Sequence, residues 1–375
     1  MRSADALRSK LPFPYYTENP NWSNVTIRLI AQIANEGGDF GEIERAMKDV
    51  HVGNNDEWHR NWTDMARYIE EKGSHAISEN HSVSAWKYLF RAANYYRQAQ
   101  QVLDSKDARK VPTYLKTVEC FSRASRYHYP LIEPVEIPYE GVTMNGYIFH
   151  RFGDSKQSGP GLVWFGGADS PAEETYFQGG VEAIRRGLTV LAVNGPGQGL
   201  SLYARGLHGR PDYEKPFSAA IDFFQQKSGV DPERIGIMGN SLGGYYSVRA
   251  AAFEKRAKAC VAYDVAYDVT EDLYDFFPPI KPTMQWIVGA SDDAEARQKL
   301  KLYTLKDVCP KVTCPVLLVH GEQDYIMRPS AVSKVRNELS SASVDVRMYV
   351  GTHSIREYYK EVMSQIFDWV LDNLG

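Results

Sequence analysis

From Gly161 onward the sequence alternates short apolar runs with stretches of helical periodicity, and that alternation admits few folds. The runs are Gly161–Phe165, Leu188–Asn194, Arg234–Met238, the run ending at Ala262-Tyr263-Asp264, Cys314–His320 and Val344–Val350. Strands separated by helices cannot turn straight back on one another, so the sheet is expected to be mainly parallel, and Cys314–His320 reads as a buried parallel strand. Ahead of them, Val135–Tyr139 and Met144–Phe149 alternate around Glu140-Gly141, which predicts a hairpin entering the sheet. Before Tyr129-Pro130 no segment reads as a strand. Trp22–Ala34, Phe40–Val50, Asp56–Gly73, Ser82–Leu103 and Thr113–His128 have helical spacing, with breaks expected at Gly73-Ser74 and Val111-Pro112. A chain of 375 residues has room for two folding units. The expected division is a helical N-terminal domain, 1–130, and an α/β domain, 131–375.

Within the α/β region, Gly239-Asn240-Ser241-Leu242-Gly243 follows the run Arg234–Met238 and precedes a helical stretch, Gly244–Phe253. Strand, sharp turn and helix form the context in which a serine hydroxyl is lifted above the sheet as a nucleophile. A serine needs a base, and the base needs an orienting acid. Asp324 follows Cys314–His320, and His353 follows Val344–Val350, so both fall at C-terminal strand ends in the order serine, acid, histidine. Open parallel sheets bind ligands at that edge. Glu322, Asp264, Asp268, Glu271 and Asp272 compete for the acid role, and His320 reads as structural. The expected triad is Ser241, Asp324 and His353.

Carbonyl chemistry also requires donors for a developing oxyanion. The N–H of Leu242 is one candidate. The other is expected from Gly166-Gly167-Ala168-Asp169-Ser170, at Gly167 or Ala168. A second glycine-rich turn, Gly195-Pro-Gly-Gln-Gly199, lacks the lysine of a phosphate loop and the spacing of a dinucleotide turn. It reads as a structural turn beside the active-site mouth.

These segments carry a family resemblance. Gly195–Gly199, the loop Trp164–Ser170, Gly239–Gly244 and His320–Asp324 together resemble one branch of the α/β-hydrolase superfamily. That branch holds 2,6-dihydroxypseudooxynicotine hydrolase and the fungal polyketide-shortening hydrolases of the yellowish-green-pigment type. His81–Arg97 is similar to the helical domain of the same branch, so the likeness runs from about Ser82 to the C-terminus. Two positions depart from it: Asn194 stands where relatives usually carry aspartate, and Leu200 where they often carry an acidic residue. The resemblance implies an α/β-hydrolase fold with an N-terminal helical cap, a homodimer, and hydrolysis of a carbon–carbon bond beside a ketone in an aromatic or polyketide-type molecule. The same constellation would cleave esters, thioesters or amides, or serve a non-hydrolytic cyclase, lyase or ligand-binding member.

The helical region is rich in aromatic residues: Tyr15, Tyr16, Trp22, Trp58, Trp62, Trp86, Tyr88, Tyr95 and Tyr96. Most are expected in its core, and the region is expected to cover the active site. Tyr263, Asp272 and Trp86 are the candidates for substrate binding. A net charge of −4 gives no reason to expect nucleic acid or an anionic membrane as partner. The opening residues 1–10 lack the apolar core of a secretory signal, and the four cysteines show no paired spacing, so a cytoplasmic protein with reduced thiols is expected. No cluster has metal-ligand spacing along the chain, so neither metal nor redox cofactor is expected.

Overall fold

The computed structural model describes residue 16 and residues 19–153, 157–168, 170–227 and 229–375. Residues 1–10, Tyr15, residues 154–156 and Asp169 lie outside the described residues. Contacts group the chain into two units: Met1–Glu133 with Tyr176–Gly179, and Pro134–Thr175 with Gly180–Gly375.

The first unit is built from α1 (Pro20–Gln32), α2 (Phe40–Met47), α3 (Asn55–Ser78), α4 (Ser82–Gln101) and α5 (Lys110–Ser125). Asn19, Asp39 and Asn54 start the first three by accepting the N–H of Trp22, Glu42 and Glu57, each at 3.1 Å. Two expected breaks are corrected. α3 runs through Gly73-Ser74 to Ser78 and packs closely there: a Cβ at Gly73 would meet Leu89 Cγ at 2.8 Å. The glycine there lets α3 and α4 approach. Pro112 lies in the first turn of α5, where a missing N–H costs nothing, so it belongs to a helix start. Trp22, Trp58, Trp62 and Tyr95 form a buried chain of rings with centroids 4.7–5.9 Å apart. Each such side chain contributes about 1.5–3 kcal/mol on burial. A second cluster joins Trp86, Phe90, Phe121 and His128 to Tyr176 and Phe177, which come from the segment between the two parts of the other unit.

The second unit holds an eight-stranded sheet: β1 (Ile132–Tyr139), β2 (Val142–Phe149), β3 (Gly159–Phe165), β4 (Thr189–Asn194), β5 (Val230–Asn240), β6 (Ala259–Tyr263), β7 (Val316–Gly321) and β8 (Val344–Tyr349). Their order is β1-β2-β4-β3-β5-β6-β7-β8. β2 runs antiparallel to β4, and every pairing from β4 to β8 is parallel. Glu140 and Gly141 both take positive φ, 44° and 81°, which matches the twist of the hairpin they close. β3, β4, β6 and β7 are buried along their whole length. The helices of this unit are α6 (Ala172–Thr175), α7 (Val181–Arg185), α8 (Gly199–Tyr203), α9 (Glu214–Phe224), α10 (Leu242–Phe253), α11 (Lys281–Ile287), α12 (Asp293–Leu300), α13 (Ala331–Glu338) and α14 (Tyr359–Leu374). Among the described residues, no helix is long and apolar enough to cross a membrane. All four cysteine thiols are free, and burial pushes Cys309 up to about 12 and Cys314 to about 11.

Candidate active site

β5 ends at Asn240 and α10 begins at Leu242, leaving one residue to turn the chain. Ser241 makes that turn at φ 57° and ψ −122°, a region L-residues rarely adopt. Its N–H still continues the sheet by donating to Tyr263 O at 2.7 Å, and its carbonyl accepts from Gly244 N–H at 2.8 Å. The reversal works only because its flanks lack side chains. A Cβ on Gly239 would lie 1.8 Å from Gly243 O, and one on Gly244 would lie 1.7 Å from Asp264 O. Trp164 Nε1 donates to Asn240 Oδ1 at 3.0 Å, which fixes the residue before the serine.

The three residues expected from the strand ends meet. His353 Nε2 lies 3.0 Å from Ser241 Oγ, and His353 Nδ1 lies 2.7 Å from Asp324 Oδ2. These distances suit proton transfer from the hydroxyl to an imidazole held in one tautomer. Asp324 is buried and held from both sides. Its Oδ1 accepts the N–H of Ile326 at 2.7 Å and of Met327 at 2.9 Å, and its Oδ2 also faces His320 Nε2 at 3.3 Å. Burial works to raise Asp324, but the His353 charge and hydrogen bonds from His320 and His353 outweigh it and hold the carboxyl well below its ordinary value. Burial likewise works to lower His353, but the charges of Asp324 and Asp264 overcome it and raise the imidazole above 6.5.

His320 is fully buried, and Val265 N–H points at its Nδ1 from 3.3 Å. That donor requires a lone pair, which leaves the His320 proton on Nε2, facing Asp324. Asp264, one of the competing acids, is also buried, with Oδ2 3.6 Å from His353 Nδ1. Glu322 and Glu271 are exposed. Atoms of Asp264, Asp324 and His353 lie within 4.8 Å of one another, a closeness that would suit a cation and that spacing along the chain did not signal. Hydrogen bonds already engage both nitrogens of His353 and both oxygens of Asp324.

The glycine-rich loop after β3 lies against the nucleophile. A Cβ at Gly167 would come within 2.9 Å of Ser241 Cβ and 3.4 Å of its Oγ. Gln198, which sequence reasoning left without a role, sets that loop. Its Nε2 donates to Gly166 O at 2.6 Å and Gly167 O at 3.2 Å, while its Oε1 accepts from Gly195 N–H at 3.3 Å and Tyr213 O–H at 3.1 Å. With those carbonyls tied back, Gly167 stays beside the serine, and Ala168 follows it in the same loop. Leu242 opens α10, directly after Ser241. Met327 was also missed; its Sδ lies 3.6 Å from Ser241 Oγ. The only sequence signal for Gln198 was its place in the Gly195–Gly199 turn, and Met327 had none.

The residues expected to bind substrate have partners inside the protein. Tyr263 O–H donates to Ser354 O. Asp272 is fully buried, its Oδ2 accepts the N–H of Tyr267 and of Asp268, both at 3.0 Å, and Arg328 lies 3.4 Å from its Oδ1. That carboxylate closes the loop after β6. Trp86 belongs to the helical unit, its ring edge-on to His128 at 4.9 Å.

The profile of the prolyl oligopeptidase family matches residues 177–375. The chain is 30% identical over 367 residues to alpha/beta hydrolase gkaG of Penicillium citrinum, covering 85% of this chain and 86% of that protein. It is 32% identical over 253 residues to alpha/beta hydrolase xenA of Xenoacremonium sinensis, covering 65% of this chain but 59% of that protein. The chain thus spans about three-fifths of the length of the first curated relatives it matches. The crystal structure of 2,6-dihydroxy-pseudo-oxynicotine hydrolase shares the fold, with a TM-score of 0.82 at 24% identity over 92% of this chain and 95% of that one.

Proposed function

This chain belongs to the prolyl oligopeptidase family of α/β serine hydrolases, and from that premise we propose that Ser241, His353 and Asp324 form its catalytic triad. The observation that carries the reading is the continuous relay from Ser241 Oγ through His353 to Asp324, at 3.0 and 2.7 Å. Ser241 Oγ attacks a carbonyl carbon as its proton passes to His353 Nε2. The adduct oxygen is held by the N–H of Leu242 and by that of Gly167 or Ala168. When the adduct collapses, His353 returns the proton to the leaving group. Water then repeats the sequence on the acyl-enzyme and frees the serine.

The proposed substrate is an aromatic or polyketide-type ketone, and the bond cleaved is the carbon–carbon bond beside it, with an enolate leaving. The branch resemblance supports this reading, as does the likeness to fungal α/β hydrolases. A family named for a peptidase favours a second reading, acyl transfer from an ester, thioester or amide. The two share every residue named above and differ only in the leaving atom, carbon or heteroatom.

Labelling with a fluorophosphonate, read by intact mass, tests the triad. Wild type is expected to take up one equivalent and Ser241→Ala none; an unlabelled folded wild type would refute it. Turnover of aryl β-diketones against matched aryl esters, in water enriched in oxygen-18, then separates the readings. Faster diketone cleavage with label in the acid product supports the first, and cleavage of esters alone the second.

A further inference from the structure

The two carboxylates near His353 reach it from different strands, Asp324 after β7 and Asp264 after β6. Asp264 takes φ 60° and keeps its N–H in the sheet by donating to Val319 O at 2.8 Å. Its Oδ2 accepts the N–H of Ser354 at 3.1 Å and the Ser354 hydroxyl at 3.0 Å, and it stands 3.6 Å from His353 Nδ1. Its Oδ1 is buried and, among the described residues, has no hydrogen-bond partner. Tyr263, the preceding residue, holds the carbonyl of the same Ser354. The end of β6 therefore grips both the N–H and the C=O of the residue after the base. Ser354 and Ile355 need such a grip, because both take left-handed φ, 59° and 43°. For a β-branched isoleucine that conformation is a strained outlier, and strain persists only where neighbours over-determine it.

We propose that Asp264 is a second carboxylate of the relay, a positioning residue that anchors His353 through Ser354 and supports the imidazolium formed when Ser241 is deprotonated. This rests on the triad reading above. The backbone N–H and the hydroxyl of Ser354 both donate to Oδ2, and His353 Nδ1, whose proton goes to Asp324, stands beside it at 3.6 Å. Burial works to raise the Asp264 carboxyl, and the charges of His353 and His320 oppose it, so its ionised form is favoured most when the imidazole is protonated. While His353 is neutral, the Asp264 charge is poorly compensated, with one oxygen unmet. When the ring takes the serine proton, a positive charge appears within 4 Å of it. The interaction is thus stronger in the transition state than in the resting enzyme, which is the condition for accelerating the step. No covalent change occurs at Asp264, since the proton travels only between Ser241 Oγ and His353 Nε2. The other groups around His353 are fixed between the variants compared: Asp324 and His320 from β7 and its loop, Tyr325 from the same loop, Tyr263 from β6, and Arg356, Glu357 and Tyr359 from the segment that follows it. Arg356 opposes protonation of His353, and Glu357 accepts from Thr352 N–H and Oγ1 at 2.9 and 2.6 Å.

The experiment is the rate of fluorophosphonate labelling against pH, with a thermal melt as folding control. Asp264→Asn keeps an oxygen for Ser354 and deletes the charge, and Asp264→Ser deletes the charge with a shorter side chain. Removing an anion at this range lowers the imidazole pKa by about one unit or more. Each neutral variant is expected to move the acid limb to lower pH by that amount and to reduce the plateau rate about tenfold, a unit of pKa being a factor of ten. Probe affinity is expected to stay unchanged. Asp324→Asn is expected to keep about ten times the rate of the Asp324→Asn, Asp264→Asn double variant. If the pH profiles of folded neutral variants superimpose on that of wild type, whatever their melting points, Asp264 only ties a loop and the proposal is wrong. If wild type is not labelled at all, the triad reading fails and takes this inference with it.

Discussion

At the scale of single residues, the decisive quantity is the charge around one imidazole. Two carboxylates raise His353 above its ordinary value against the opposing effect of burial. A general base works only when unprotonated, so labelling of Ser241 is expected to rise with pH through a midpoint above 6.5. A midpoint at or below that value in the wild type would show that burial wins. Replacing His353 by alanine is expected to cost about 10⁴-fold or more in labelling rate, because the serine then has no base to take its proton. The positions of Ser241, Asp324 and His353 were legible because each falls where a strand runs out, and that is a local property of the chain. Gln198, Met327 and Ser354 were not. Each meets the site through a contact between loops far apart in sequence, and no residue type or spacing announces such a meeting. Burial of a polar end demands a partner, and Tyr263 and Asp272 each have one within the protein.

At the scale of elements, the site depends on turns that tolerate no bulk. A methyl at position 239 would collide with a backbone carbonyl 1.8 Å away, and neither β5 nor α10 can give way without moving Ser241. Gly239→Ala is expected to cost about 3 kcal/mol in denaturant melts, at the upper end of overpacking penalties. A loss under 1 kcal/mol would mean that the turn relaxes. The loop after β3 is governed by hydrogen bonds. Gln198→Ala releases the carbonyls of Gly166 and Gly167, and small misplacements of catalytic groups are costly. It is expected to slow labelling about tenfold while leaving the pH midpoint in place, because His353 and its carboxylates are untouched. A displaced midpoint would instead tie this turn to the base. Strand and helix identities were largely legible from periodicity, and boundaries less so. The closing helix begins only at Tyr359, because Ser354 and Ile355, directly after His353, are bent into left-handed turns. Gly73 looked like punctuation and proved to be a helix contact, which only the packing partner Leu89 explains.

At the scale of the whole molecule, parallel pairing followed from alternation along the chain, and the burial of β7 from its unbroken apolar run, whereas β8 at the sheet edge has no buried residue. The order of the strands did not follow, because register between distant segments is settled by packing. One ionic cluster ties early and late parts of the sheet unit together. Glu182 at the start of α7 meets Lys360 at 2.8 Å, Arg185 at 3.0 Å and Arg186 at 2.9 Å, and Arg186 reaches Asp368 on α14 at 3.0 Å. Burial works to raise Glu182, but Lys360 and Arg186 outweigh it and hold the carboxyl at about 2. A depressed carboxyl stabilises the fold above its unfolded value of 4.5 and loses that contribution as pH falls toward about 2. Because the cationic partners are partly exposed, Glu182→Gln is expected to cost only about 1 kcal/mol at pH 7, or about 2–4 °C in melting temperature. The gap from wild type is expected to close between pH 4.5 and about 2. A gap that stays constant across that range would assign the effect to packing.

The four residues Tyr176–Gly179 belong by contacts to the helical unit, although the chain on either side of them belongs to the sheet unit. Cutting and joining genes at one point near residue 133 would therefore divide the polypeptide but not the cores. A helical unit exchanged between relatives would arrive without Tyr176 and Phe177, and the recipient would offer its own pair to a foreign cluster of rings. Modular exchange in this architecture needs two inserts moved together, one of more than a hundred residues and one of four.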